Sequence, residues 1–135
     1  MSEDKYFKRL IFTEEQLDSY IKNAFKDLKI AKDNPTPEVK FTYSYNALLK
    51  SGIALIAGVK NLKVRSVPGH HIKILEDMSK ILEDNSIFDT GNAMRMKRNT
   101  DLYDGGIFIS EKESMDYYEF VEETVKKVKA IIKTK

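Results

Sequence analysis

The chain has 135 residues, of which 41% are hydrophobic and 33% are charged, and its formal net charge is +2. This balance is too apolar for a disordered chain and too interrupted by charge for a membrane span, and the N-terminus carries no apolar signal sequence, so we expect a soluble, cytoplasmic protein. The lack of cysteine excludes disulfides, thiolate metal ligands and cysteine nucleophiles.

The first two predicted helices have clear boundaries. Thr13 and Gln16 have the spacing of a capping box, and the apolar stripe behind them predicts a first helix over residues 14–33. Pro35 ends this helix, because proline lacks the amide hydrogen that the next turn of a helix needs. A second helix is predicted over 38–59, and we expect it to be central because its small residues let other helices approach closely. These small residues are Ser51, Gly52, Ala54, Ala57 and Gly58.

The rest of the chain predicts three more helices. Residues 61–69 are typical of a loop. A short third helix follows, with apolar residues from Ile72 to Leu82, and residues 84–86 end it. A fourth helix is predicted over 88–103, but its apolar residues share no single stripe, which indicates that core packing did not shape it. Ser110 caps a last helix. The inner face predicted for this helix comprises Met115, Tyr118, Val121, Val125, Val128 and Ile132.

We therefore predict an all-α fold, an up-and-down bundle of four main helices plus one short helix. The length suits one domain over residues 1–135, with its core at about 13–133.

Basic residues cluster on the fourth predicted helix. Helical geometry places Arg95, Asn99 and Tyr103 at four-residue steps, with Arg98 beside them. Such a face suits a phosphodiester, because the planar guanidinium matches two phosphate oxygens. An ordinary solvated face, in which Arg98 pairs with Asp101, explains the same pattern equally well.

The two histidines follow the strongest local positive patch. Residues 60–73 contain no acid but include Lys63 and Arg65. His70 and His71 point about 100° apart on a helix, so we do not expect them to bind one metal together. If the third and fourth helices are neighbours, His70 or His71 is placed to donate or accept a proton at the basic face of the fourth helix. The commoner role for a histidine at a helix start is to satisfy backbone groups, here at the turn before it.

The segment from Arg98 to Tyr103 resembles the motif of HEPN (higher eukaryotes and prokaryotes nucleotide-binding) domains, which are small helical bundles. That motif is an arginine, a polar residue, a few variable positions and a histidine. Arg98 and Asn99 match it, and Tyr103 stands where the histidine is expected. Residues 45–48 and the turn at 69–71 add to the likeness.

The resemblance implies an activity and its partners. Many HEPN proteins are metal-independent endoribonucleases that need no cofactor, act at a homodimer cleft and serve as the toxin of a toxin–antitoxin pair. Others dock on a nucleotidyltransferase. The partners expected here are therefore a second copy of the chain, RNA or a nucleotide, and a cognate antitoxin or nucleotidyltransferase protein.

Carried onto this chain, the resemblance names the residues of the site. The catalytic candidates are Arg98, Asn99 and Tyr103, and the substrate-binding candidates are Arg95, Lys63, Arg65, His70 and His71. A phenol, with its pKa of about 10, donates a proton but is a weak base at neutral pH, so Tyr103 would act as an acid or a stacking platform. The alternative is a catalytically silent module that binds a protein partner through the same face.

Overall fold

The structure is a computed structural model that describes residues 5–104 and 109–133, with side chains described for 5–99 and 109–133. These residues form five helices and two short strands. In chain order they are β1 Phe7–Arg9, α1 Glu14–Asp33, α2 Pro37–Lys60, β2 Leu62–Val64, α3 His70–Leu82, α4 Asn85–Asp104 and α5 Glu111–Lys133. The predicted all-α bundle of four long helices and one short helix is confirmed. Within the described part of the chain, no helix is long and apolar enough to cross a membrane.

The local capping signals act as predicted. Thr13 Oγ1 accepts a hydrogen bond from the Gln16 amide at 3.1 Å, and the Gln16 side chain accepts from the Thr13 amide at 2.8 Å. Ser110 Oγ accepts from the Glu113 amide at 3.0 Å. Asp84 supplies a further cap, because its Oδ1 accepts from the Ser86 amide at 3.0 Å, and α4 therefore begins three residues earlier than predicted.

The predicted loop over 61–69 contains a strand that pairs with an unpredicted partner. β2 runs antiparallel to β1, with Phe7 opposite Val64 and Lys8 opposite Lys63. A strand of three residues is too short to show an alternating pattern in the sequence, and only its partner 55 residues away makes it a strand.

Helix α2 is central, as predicted, and it contacts each of the other four helices. A Cβ atom at Gly52 would lie 2.5 Å from both Ile74 Cγ2 and Met78 Sδ. The missing side chain therefore lets α3 approach the α2 backbone closely.

The inference that core packing did not shape α4 is wrong. Ile87, Gly91 and Met94 form a buried stripe with four- and three-residue steps. A Cβ atom at Gly91 would lie 2.6 Å from Leu75 Cδ2, so α3 and α4 touch at this glycine. The pattern of apolar residues in the sequence does not show this stripe, because its middle residue, Gly91, has no side chain.

The predicted inner face of α5 needs one correction. Met115 is 42% exposed, whereas Ser114 is buried. The buried positions run through Ser114, Tyr118, Val121, Val125 and Val128 at alternating four- and three-residue steps. Met115 therefore lies one position away from the face that contacts the core.

Candidate functional site

A cavity of about 290 Å³ lies where the start of α3 meets the second half of α4. The described residues that line it are Val67, Pro68, Gly69, His70, His71, Ile72, Arg95 and Asn99. None of these described lining residues is acidic. The cavity therefore combines one cation with neutral polar groups, in a chain whose acids nearly equal its bases in number.

Gly69 shapes the turn that enters the cavity. Its φ of +87° lies in the left-handed region, and a Cβ atom there would lie 3.2 Å from the Tyr6 hydroxyl. Glycine satisfies both constraints. The helix α3 begins at the next residue, and its first amide, that of His70, donates to the Val67 carbonyl at 3.1 Å. The two amides that follow lack carbonyl partners within the helix, so this end of α3 favours an anion.

His70 is anchored to the backbone of this turn. Its Nδ1 lies 2.7 Å from the Val67 carbonyl oxygen. A carbonyl can only accept, so Nδ1 carries the hydrogen and donates it, and in the uncharged imidazole Nε2 then has the lone pair. The predicted backbone-satisfying role of His70 is thus confirmed, and it leaves the second ring nitrogen able to accept a proton.

His71 is held by a buried tyrosine of α2. The Tyr45 hydroxyl lies 3.0 Å from His71 Nδ1, and burial raises the pKa of Tyr45 to about 12. Burial, then the electrostatic coupling to His70, and then the cations Arg98 and Arg95 lower the pKa of His71 to about 4. At neutral pH Tyr45 therefore donates to Nδ1 of an uncharged imidazole, whose own hydrogen is on Nε2.

The two imidazoles thus have opposite hydrogen-bonding capacities. Their ring centroids are 4.5 Å apart, and the ring planes are inclined by 66°. His70 Nε2 can accept, whereas His71 Nε2 can only donate. In the described part of the chain, no three His, Asp or Glu side chains are placed to hold a metal ion.

The two arginines of α4 contact neutral groups. Arg95 is half-buried, and its Nε donates to Asn92 Oδ1 at 2.9 Å, so both terminal nitrogens retain donors for a ligand. The exposed Arg98 guanidinium lies 5.9 Å from the Tyr45 ring centroid, within range of a cation–π interaction. No carboxylate with a described side chain pairs with either arginine. Asp101, the alternative partner of Arg98, is outside the described side chains.

The structure brings some of the predicted site residues together and separates others. Four of them line the cavity: His70, His71, Arg95 and Asn99. Arg98 is connected to them through Tyr45. Lys63 in β2 and Arg65 just after it are outside the described cavity lining. The side chain of Tyr103 is outside the described part of α4.

Sequence reasoning missed Tyr45 and Asn92 as site residues. In the sequence, Tyr45 stands out only as the first of residues 45–48 in the family likeness. The available signal was its hydroxyl, because a buried tyrosine needs a hydrogen-bond partner. Asn92 precedes Arg95 by three residues, which is the spacing of neighbours on a helix surface.

Comparison with known proteins finds no relative of this chain. No family model matches the chain, and neither a similar curated protein nor a similar solved structure is found. The resemblance to HEPN domains therefore stays a prediction.

Proposed function

We propose that the protein binds RNA and holds a backbone phosphate in the cavity between α3 and α4. The observation that carries this proposal is the described lining, in which donors from Arg95, Asn99 and His71 surround the start of α3 without an acid among them. Phosphate oxygens only accept hydrogen bonds, so a lining rich in donors suits them. The volume of about 290 Å³ is close to the lower end of ligand pockets, roughly 300 Å³, and suits one nucleotide unit.

The histidine pair favours a ribonucleotide among phosphate compounds. His70 Nε2 is an acceptor, and a phosphodiester offers it no hydrogen. A ribose 2′-hydroxyl beside the phosphate does offer one. The donor His71 Nε2 and the acceptor His70 Nε2 thus match a phosphate oxygen and the 2′-hydroxyl beside it. RNA has this hydroxyl, and DNA lacks it.

The same lone pair supports endoribonuclease activity as a second candidate function. His70 Nε2 would take the proton of the 2′-hydroxyl while that oxygen attacks the adjacent phosphorus. The bond from phosphorus to the 5′ oxygen then breaks, giving a 2′,3′-cyclic phosphate and a 5′ oxygen that takes a proton from water. Arg95 would stabilise the charge that develops on the phosphoryl oxygens. His71, being uncharged, would donate a hydrogen bond and keep its proton, and Tyr103 stays the predicted acid or stacking platform.

RNA binding is tested with a labelled single-stranded oligoribonucleotide by fluorescence anisotropy, in the presence of a metal chelator. We expect Arg95→Gln to weaken binding by at least tenfold, because the cavity loses its cation. Lys126→Gln is the matched control, since Lys126 pairs with Glu122 at 3.7 Å on the surface of α5. Equal losses in the two variants, or no binding by the wild type at low salt, would contradict the proposal.

Cleavage is tested on the same oligonucleotide in the chelator, with analysis of the product ends. The wild type should give cyclic phosphate ends, and both Arg95→Gln and His70→Ala should abolish them. A substrate with 2′-deoxyribose throughout should stay intact. Salt-sensitive binding without cleavage by the wild type would show a silent RNA-binding protein instead.

One observation supports the alternative of a protein-interaction module. Met96, on α4 next to Arg95, is 57% exposed and presents an apolar side chain beside the cavity residues. It suits contact with a second copy of the chain, an antitoxin or a nucleotidyltransferase. Sedimentation of the wild type and Met96→Glu tests the homodimer. A dimer that Met96→Glu dissociates, together with no RNA binding, would favour the interaction module.

A further inference from the structure

The short sheet before α3 carries two lysines side by side. The register places Lys8 directly opposite Lys63, and both are exposed. The neighbouring pair, Phe7 and Val64, is buried or half-buried and faces the core. Because side chains alternate along a strand, the lysines occupy the outer face of the sheet. Like charges directly opposite each other on two strands are destabilising.

Among the described side chains, no acid offsets this repulsion. Residues 5–13 and 60–73, which contain both strands, include no acid. No described carboxylate pairs with Lys8 or Lys63, whereas Lys29 pairs with Asp33 on α1 at 3.0 Å. Lys60, at the start of the second segment, pairs with Asp77 at 3.6 Å, but the two lysines that face each other on the sheet have no described acid.

An aromatic residue connects this sheet to the cavity. The Tyr6 carbonyl accepts from the Arg65 amide at 2.7 Å, which continues the pairing of the two strands by one residue. The Tyr6 hydroxyl lies beside Gly69, a residue of the cavity lining. The Lys5 ammonium lies 5.1 Å from the Tyr6 ring centroid. Tyr6 therefore lies between the strand that carries Lys8 and the cavity lining.

We propose that the outer face of the β1–β2 sheet binds the backbone of a single-stranded RNA as it leaves the cavity. This inference rests on the proposed function and adds that the site extends over several nucleotides. Lysine suits this role, because a flexible point charge can follow successive phosphates. The strand is single because a cavity for one nucleotide unit requires an unpaired chain there.

The test compares short and long single-stranded RNA. Binding of a trinucleotide and a twelve-nucleotide strand is measured over a range of salt concentrations in a metal chelator. The sheet variant is Lys8→Gln with Lys63→Gln. The control is Lys29→Gln with Lys112→Gln, which makes the same change in net charge at residues paired with Asp33 and Asp116. Thermal melting should show the sheet variant at least as stable as the wild type, since a like-charge pair has been removed.

We expect the sheet variant to bind the longer strand about tenfold more weakly and the trinucleotide as the wild type does. The slope of log K against log salt should become less steep by about 1.4 for the longer strand, since each phosphate contact on a single strand contributes about 0.7. The control should change neither quantity.

Two results would overturn this inference while leaving the proposed function intact. One is an equal loss of long-strand binding in the sheet and control variants, and the other is equal wild-type affinity for the two lengths. Failure of the wild type to bind either RNA would overturn the proposed function itself, and this inference with it.

Discussion

The surface of α1 and α5 and the region around the cavity both carry basic side chains, but these chains have different neighbours. On α1 and α5 the lysines face acids one helical turn away. The described pairs are Lys29 with Asp33, Lys112 with Asp116, and Lys126 with Glu122. Around the cavity, Arg95 contacts an amide and Arg98 contacts an aromatic ring. The first arrangement is a solvated surface, and the second keeps its cations available to an external anion.

The two sides of α2 show a parallel difference in packing. At Gly52 the side chains of α3 occupy the space where a Cβ atom would be, at 2.5 Å. At Gly58, which faces α1 and α5, the nearest side-chain atom would be 3.4 Å from a Cβ atom, at Ile132 Cγ1. At these two glycines, α3 therefore approaches the α2 backbone more closely than α5 does.

The largest expected effect comes from placing in the cavity an acidic side chain, of the kind that pairs with the lysines of α5. Arg95→Glu would place a carboxylate in a lining whose described members include no acid. We expect a loss of RNA affinity of about 100-fold or more, because an attractive charge becomes a repulsive one. Anisotropy measures the loss, and circular dichroism confirms that the variant is folded. Lys126→Glu, on α5, should change affinity by less than threefold, and a comparable effect there would remove the distinction between the regions.

The packing difference predicts opposite signs for two identical substitutions. Gly52→Ala should lower the free energy of unfolding by about 1–3 kcal/mol, since the new methyl group meets Ile74 and Met78. Gly58→Ala should raise it by up to about 1 kcal/mol, because alanine favours a helix and the methyl group fits there. Urea denaturation measures both values. A stabilising Gly52→Ala would show that α3 is packed less closely than the structure indicates.

The neutral state of His71 predicts a pH dependence of stability. Its folded pKa of about 4 is below the ordinary value of 6.5, so the unfolded chain binds the proton first as the pH falls. Stability from this group is present above pH 6.5 and is lost as the pH falls towards 4. Because the ring is only half-buried, we expect a loss of about 1–2 kcal/mol after allowing for solvent screening.

The control for this prediction is His71→Asn, which keeps an acceptor for the Tyr45 hydroxyl but does not titrate. Urea denaturation of both proteins at pH 7 and pH 5 isolates the contribution of His71, since the carboxyl groups titrate in both. Identical losses in the two proteins would mean that His71 is protonated in the folded state at pH 5.

The smallest effects concern one hydroxyl group in each region. Tyr45→Phe removes the donor to His71 Nδ1 and should cost about 0.5–1.5 kcal/mol of stability. It should also release the imidazole tautomer, which the ¹⁵N chemical shifts of His71 report. Tyr118→Phe, which loses a 3.2 Å bond to Glu122 on α5, should leave these shifts and RNA binding unchanged. Unchanged ¹⁵N shifts in Tyr45→Phe would show that Tyr45 does not set the tautomer.

Much of the candidate site could be predicted from helical geometry, because Arg95 and Asn99 are four residues apart and must share a face of α4. The backbone role of His70 was also predictable, since its partner Val67 is only three residues away. The bond between Tyr45 and His71 joins residues 26 apart, and no local pattern contains it.

Local signals in the sequence specify the helices of this protein, because caps, prolines and apolar stripes act over distances of only a few residues along the chain. Tertiary structure decided which helices meet, and with them the hydrogen-bonding state of the histidines and the cavity between α3 and α4. It also decided that Met115 is exposed and that Gly91 is buried. These outcomes depend on the volume that distant side chains leave open and on the solvent they exclude, and neither quantity is defined before the chain is folded.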